Sequence, residues 1–285
     1  MEGWRKLTTV EGEAQARIVA SFLEGENISV QLKSHVPPSV WPVSVDGLAE
    51  VQIWVREDDL PRALEALEAL HIRPSWEEAQ EELLHELENL GIDDPAVLRA
   101  LRAVPRHLFV PAHLLPHAYA DTPLPIGEGQ TVSQPYIVAL STQALELGPG
   151  DRVLEVGTGS GYQTAVLAEL AKEVFTVERL AALSEEAQNR LASLGYRNVR
   201  FKVGDGTKGW PEEAPFEAIL VTAGAPFLPP SLLAQLKEGG RMVIPVGDRT
   251  RQDLLLVRKV GGKVEERSLC PCTFVPLIGE EGWRD

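Results

Sequence analysis

Val153-Leu154-Glu155-Val156 is a short apolar run that passes directly into Gly157-Thr158-Gly159-Ser160-Gly161, after which Gln163 to Leu170 reads as helix. Few folds place a strand, a glycine-rich turn and a helix in immediate succession, and the parallel α/β sheet with crossover helices is built from that unit. The glycines let backbone amides at a helix N-terminus approach an anionic or nucleoside-bearing ligand, because no Cβ stands in the way. Two common ligands lose ground. A dinucleotide site wants a small residue where Tyr162 stands, and a phosphate-binding P-loop needs a Gly-Lys-Ser/Thr that is absent here.

From Asp151 onward strands and helices alternate. Strands are expected at Arg152–Val156, Glu173–Val177, Val199–Val203, Phe216–Thr222 and Arg241–Val246, with two further strand-like runs near Leu254–Val257 and Thr273–Leu277. The pattern predicts an open parallel sheet with antiparallel strands at its end. Upstream, Glu77 to Leu90 reads as an acidic amphipathic helix ending at Gly91, and Asp93-Asp94-Pro95 caps a short helix through Ala103. Val104 to Gly129 is studded with proline and shows no periodicity; loops this long usually have a function.

Residues 1–73 carry a separate pattern in the order βαββα. It consists of a strand at Leu7–Val10, a helix around Ala14–Leu23, strands at Ile28–Leu32 and Val51–Val55 flanking a proline-rich loop, and an Ala/Leu-rich helix to Leu70 with Asp58 or Asp59 as its cap. That order predicts a small ferredoxin-like α+β sheet with helices on one side. It resembles the small signal-transducing modules of bacterial proteins, and Pro74 to Trp76 read as the linker to a second domain over 77–285.

The 285 residues suffice for two modest domains, with 44% apolar and 24% charged residues as in ordinary globular chains. Lys and Arg number 27 against 42 Asp and Glu, a formal charge of −15, which lacks the electrostatic footprint of a nucleic-acid or anionic-membrane binder. Peptides and small molecules are the expected partners. The N-terminus has no uninterrupted apolar stretch, and the longest uncharged run, Ala218 to Leu236, is broken by Pro226, Pro229 and Pro230. Cys270 and Cys272 are too close in sequence to bridge easily, so a cytoplasmic, reducing setting is expected.

Glu178 closes the second strand of the sheet, where an acidic side chain can accept hydrogen bonds from both ribose hydroxyls of a nucleoside. Gly204-Asp205-Gly206 follows the third strand, and an aspartate there can bind an adenine amino group. The spacing Glu-x-Gly-x-Gly-x-Gly over 155–161 resembles that of S-adenosylmethionine methyltransferases, whose ligand seats its methionine part against this loop. Further strings narrow the resemblance: Val104-Pro105-Arg106-His107-Leu108-Phe109-Val110-Pro111, Ala118-Tyr119-Ala120-Asp121, Gly129-Gln130-Thr131-Val132-Ser133-Gln134-Pro135-Tyr136, Val221-Thr222-Ala223-Gly224-Ala225-Pro226 and Phe274-Val275-Pro276-Leu277. Residues 77–283 closely resemble the protein-L-isoaspartate O-methyltransferases.

That resemblance implies a Rossmann-like methyltransferase domain. It would move the methyl of S-adenosylmethionine to the free α-carboxylate of isoaspartyl residues in damaged proteins, leaving S-adenosylhomocysteine and an ester that collapses to a succinimide. It implies Ser133 as the residue that donates a hydrogen bond to the substrate carboxylate, with Thr131 and Val132 lining the same pocket. Gln134, Glu155, Gly157, Thr158, Gly159, Gly161, Glu178, Asp205 and Gly206 would hold the cofactor. Partners would be isoaspartyl-containing proteins and peptides, with neither nucleic acid nor membrane, and a monomer is favoured. The family more often has alanine where Gly224 stands, which should loosen that loop, and most members lack the N-terminal module.

Other signals are set aside. Prolines separate His107, His113 and His117, and no acidic partner completes a metal site, so no metal is expected. Cys270 and Cys272 are expected as buried core residues. Ser160 is not in Gly-x-Ser-x-Gly, since Thr158 occupies the second position back, which disfavours a hydrolase. Two alternatives stay open: a methyltransferase of another acceptor, a small-molecule carboxylate or an RNA base, and a non-catalytic S-adenosylmethionine sensor.

Overall fold

The computed structural model describes residues 3–11, 13–34, 50–63, 66 and 76–284. The chain divides into two compact units, Met1–Pro74 and Ser75–Asp285.

In the first unit, strands β1 (Trp4–Glu11), β2 (Val30–Ser34) and β3 (Glu50–Arg56) form an antiparallel sheet in the order β1-β3-β2, and helix α1 (Glu13–Gly25) connects the two outer strands. The alternation of β3 sets its faces: Val51, Ile53 and Val55 are buried with Ala16, Val19, Leu23 and Ile28. Each buried Val, Leu or Ile among them contributes about 1.5–3 kcal/mol by leaving water. The expected cap differs from the observed one. Glu57–Asp59 form a 3₁₀ turn, so Asp58 and Asp59 lie inside the first turns instead of capping them. Leu60 to Ala63 continue as helix. The rest of the expected helix towards Leu70, Ala66 excepted, and most of the proline-rich loop lie outside the described residues.

The second unit opens with helices α2 (Trp76–Asn89) and α3 (Pro95–Ala103), the latter capped by Asp94, whose carboxylate accepts from the Ala96 amide at 2.7 Å. The stretch read as aperiodic holds two 3₁₀ turns, Arg106–Phe109 and Ala112–His117, and a strand, β4 (Leu124–Gly127). β4 pairs with β5 (Gln130–Val132), and α4 (Pro135–Ala144) follows. A four-residue strand whose side chains are mostly outside the core leaves no apolar signature to read.

The main sheet contains β6 (Arg152–Val156), β7 (Glu173–Glu178), β8 (Val199–Val203), β9 (Phe216–Val221), β10 (Leu236–Gly247), β11 (Gln252–Val260) and β12 (Lys263–Cys272). Their order is β12-β11-β10-β9-β6-β7-β8, parallel from β10 to β8, with β11 and β12 antiparallel at one edge. Helices α5 (Tyr162–Leu170), α6 (Ala181–Ser193) and α7 (Pro230–Gln235) fill the connections. Both faces are covered. Leu154, Val156, Phe175, Val177, Ile219 and Val221 pack in one cluster, while Val153, Val174, Ala218 and Leu220 pack in another with Leu145 and Leu167.

The expected strand at Thr273–Leu277 is absent; the final strand is instead Lys263–Cys272, and only Pro276 in the later run makes an isolated bridge, to Gly224. β12 is an edge strand with a largely exposed, charged sequence, so its residues carry no hydrophobic signal. Cys270 and Cys272 are free and half-buried along that edge, not core residues.

Candidate active site

A cleft of about 760 Å³ opens at the carboxyl ends of β6, β7 and β9, where parallel α/β sheets place their ligands. Its walls include Gly157, Thr158 and Gly159, then Val177, Glu178 and Arg179, Gly206 after β8, Thr222 and Ala223 after β9, and Val275–Ile278 from the C-terminal segment. Gln130, Thr131, Val132 and Ser133 close the remaining side.

The glycine turn is fixed from two directions. Glu178, only 7% exposed, accepts the Gly159 amide on Oε2 and the Leu180 amide on Oε1, each at 3.0 Å. Thr222 Oγ1 lies 3.0 Å from the Val156 carbonyl and 2.7 Å from that of Gly157. Gly157 has φ +99°, and a Cβ there would come within 2.3 Å of Thr222 Oγ1. Gly206 lets the β8 turn pass against the end of β6, since its Cβ would meet Val156 Cγ1 at 2.5 Å.

A second cleft of about 540 Å³ adjoins the first and is lined by Pro123, Gln134, Ile137 and Pro271–Phe274. Thr131, Ser133, Thr222 and Val275 are walls of both. Ser133 is half-buried, and its hydroxyl makes no hydrogen bond to any described residue. Asp121 holds the turn that presents it, accepting the Gln134 side-chain amide at 2.8 Å and the Tyr136 backbone amide at 2.7 Å. Pro135 then starts α4 in the first-turn position that suits its fixed φ.

Thr131, Val132, Ser133, Gly157, Thr158, Gly159, Glu178 and Gly206 therefore converge on one cleft, while four other residues read as cofactor-binding do not line it. Glu155 is 0% exposed and points away from the cleft, its Oε2 accepting the hydroxyls of Thr164 and Thr176 at 2.6 and 2.7 Å, with no partner for Oε1 among the described residues. Burial raises its pKa to about 8, so it is a neutral acid at pH 7. Gly161 is a packing glycine, its missing Cβ leaving room for Ala187 and Leu191 on α6. Gln134 faces the second cleft. Asp205 uses Oδ1 for the Thr207 amide and hydroxyl and Oδ2 for the Glu280 amide, which clamps the C-terminal segment to the end of β8.

Thr222, Arg179 and Val275–Ile278 are walls that motif reading passed over, although Thr222 and Val275–Leu277 lie within the strings that carried the resemblance. Tyr162, another wall, is backed by the fully buried Arg106, whose guanidinium carbon lies 4.9 Å from its ring centre. Gly224 is not loosened. Its amide and carbonyl bond Val275 and Leu277 at 2.8 Å, Trp283 Nε1 donates to the same carbonyl at 3.0 Å, and a Cβ would stand in tight contact with the Gln252 side chain, 3.0 Å from its Cδ. His107 hydrogen-bonds Tyr119 at 2.8 Å and stacks on Trp76, and the side chain of His113 lies outside the described residues. Among the described residues no cluster suits a metal ion, and no helix is long and apolar enough to cross a membrane.

Residues 78–282 match the family model for protein-L-isoaspartate(D-aspartate) O-methyltransferase. The chain belongs to this family. Its similarity to the protein-L-isoaspartate O-methyltransferase of Magnetococcus marinus is 54% identity over 211 residues, covering 74% of this chain and 92% of that one. The enzyme of that name from Pelotomaculum thermopropionicum is 55% identical over 196 residues, covering 68% and 86%. Among solved structures, a protein-L-isoaspartate O-methyltransferase aligns with TM-score 0.65 and 32% identity over 71% of this chain and 67% of its own. A Plasmodium falciparum protein described as the same enzyme, in complex with S-adenosyl-L-homocysteine, aligns with TM-score 0.63 and 30% identity over 70% and 98%. Residues 4–71 match a model described as "Putative prokaryotic signal transducing protein".

Proposed function

We propose that the chain is an S-adenosylmethionine-dependent protein carboxyl O-methyltransferase that esterifies the free α-carboxylate of isoaspartyl residues in damaged proteins, with residues 1–73 as an accessory module. The observation that carries this reading is the Ser133 hydroxyl, unpaired among the described residues, on the wall shared by two adjoining clefts, one of them built around a glycine turn and an acidic residue.

The first cleft suits a nucleoside without phosphates. Its walls offer the Glu178 carboxylate, the exposed backbone of Gly157 and Gly159, and apolar surface from Val132, Val138, Val156, Val177 and Leu277, with Arg179 as the one cation among them. Glu178 would accept the ribose hydroxyls, its oxygens already oriented by two amides. The Gly157–Gly159 backbone would lie along the amino-acid part. When bound, S-adenosylmethionine supplies a methyl group activated by a positively charged sulfur.

An α-carboxylate with pKa near ~4 is ionised at neutral pH and needs no general base. The walls of both clefts carry hydroxyls at Thr131, Ser133 and Thr222 but neither histidine nor lysine. The chain's contribution is therefore geometric. Ser133 donates a hydrogen bond to one carboxylate oxygen and aims the other across the seam, while Val132 and Val275 keep water out. Such orientation supplies up to ~7–11 kcal/mol in well-aligned reactions. The following backbone amide nitrogen then attacks the ester carbonyl and expels methanol to give a succinimide unaided, and hydrolysis returns part of the damage to aspartate.

A cytoplasmic setting fits the two unpaired cysteines. The deciding experiment supplies labelled S-adenosylmethionine and two peptides differing only in an aspartyl or isoaspartyl linkage. Base-labile label on the isoaspartyl peptide alone supports the proposal; label on neither, with cofactor bound, removes it.

A further inference from the structure

The sheet of the first unit has a second face. Because Val51, Ile53 and Val55 point into the core, their neighbours Gln52, Trp54 and Arg56 point the other way, and the strand register adds Lys6 and Trp4 from β1 and Gln31 and Lys33 from β2. This face carries three cations and two tryptophans. None of these seven side chains is a carboxylate, in a chain whose formal charge is −15.

Within the described residues these cations are left without a carboxylate partner. Among the described residues Lys6, Lys33 and Arg56 form no ion pair, whereas the nearby Arg5 is bound to Glu57 at 2.6 Å. Lys33 Nζ sits 3.8 Å from the centre of the Trp54 ring, and the Arg56 guanidinium 5.0 Å from that of Trp4. Trp54 Nε1 donates to Gln52 Oε1 at 3.1 Å, which pins the ring in place. The tryptophans therefore hold the two long cationic side chains in fixed positions, removing rotamer entropy that a ligand would otherwise have to overcome.

We propose that this face binds acidic polypeptide segments. The patch runs from the Trp4–Arg56 pair to the Lys33–Gln52 pair, about 13 Å along the strands and about 10 Å across three of them. That area accommodates three or four residues of extended chain. Carboxylate side chains satisfy ammonium and guanidinium donors directly. Single-stranded nucleic acid fits less well, because each tryptophan already has a cation over its ring where a base would stack, and a long polyanion would meet the negative charge outside the patch.

Resting on the proposed activity, the consequence is recruitment: a damaged segment rich in Asp and Glu would be held on the same chain as the transferase unit, at raised effective concentration. Binding itself does not depend on that activity. The experiment uses the full chain and fluorescein-labelled hexaglutamate, read by anisotropy, so a failure of methyl transfer leaves the readout intact. Lys6→Glu/Lys33→Glu/Arg56→Glu should weaken binding at least tenfold, raising salt should weaken it in the parent protein, and Lys6→Arg/Lys33→Arg should preserve it. In methyl transfer, KM for an acidic isoaspartyl peptide should rise in the triple variant while a short neutral isoaspartyl peptide turns over as before. If the triple Glu variant fails to fold, Lys6→Gln/Lys33→Gln takes its place with the same expected direction. Equal binding by parent and variant, no binding at millimolar hexaglutamate, or tighter binding of oligothymidylate would overturn the proposal.

Discussion

The hydroxyl of Thr222 occupies the space that a β-carbon on Gly157 would need, and shares its proton between the carbonyls of Gly157 and Val156, 2.7 and 3.0 Å away. The end of β9 thereby fixes the turn after β6. Thr222→Ser keeps this hydrogen bond and should behave as the parent. Thr222→Val keeps the shape and loses the bond, worth about 1 kcal/mol, so affinity for S-adenosylhomocysteine should fall roughly fivefold by calorimetry. Equal affinities in Val and Ser variants would remove the positioning role.

Ser133→Ala deletes a hydroxyl that bonds none of the described residues, so folding stability should change little. Turnover of an isoaspartyl peptide should drop by about 1–3 kcal/mol in kcat/KM, roughly fivefold to more than a hundredfold, because the carboxylate loses its donor. Unchanged kcat/KM would show that the carboxylate is oriented by something else.

The buried Glu155 predicts a pH dependence of stability. Its folded pKa of about 8 lies above the ordinary glutamate value, so the folded state holds a proton that the unfolded chain releases near ~4. The associated stability is complete below ~4 and is lost as pH rises through about 8. Compared with Glu155→Gln, which cannot ionise, the parent should lose on the order of a few kcal/mol between about pH 5 and about pH 9. Parallel unfolding curves across that range would show that Glu155 is charged in the fold.

Asp205 is tied to the C-terminal segment through the Glu280 amide at 2.8 Å, and Gly279 passes so close that a Cβ would meet Asp205 Oδ1 at 2.1 Å. Asp205→Asn replaces one acceptor oxygen by an NH₂ group that opposes an N–H or O–H donor. Hydrogen exchange at the Glu280 amide should quicken at least tenfold, with about 1–3 kcal/mol of stability lost. Cofactor affinity should fall with it, because Val275–Ile278 form a wall of the cleft. Unaltered exchange would mean that other contacts hold the segment.

The inner strands were legible because both faces are covered: β6, β7 and β9 read as apolar runs, and the glycine turn after β6 is visible as a string. β4 and β12 were not, since one is four residues long and the other exposes charged side chains along an edge. The site divides the same way. Glu178 and Gly206, read from strand ends, lie on the cleft wall, whereas Glu155, read from its place in a motif, falls by the two-residue alternation of its strand on the face opposite Leu154 and Val156, towards Thr164 and Thr176. Asp205 shows a different gap. A turn aspartate beside a cleft reads as a ligand contact, and only the returning C-terminal segment reveals what its oxygens hold.

Thr131, Ser133, Thr222 and Val275 are walls of two clefts at once, which makes the occupants of those clefts thermodynamically interdependent. Any shift one ligand imposes on these four side chains alters the affinity of the other by the same factor in both directions. On the proposed function, spent cofactor in the first cleft would then report on an acceptor in the second, and a molecule spanning the seam would gain from both halves while ordering the shared wall only once.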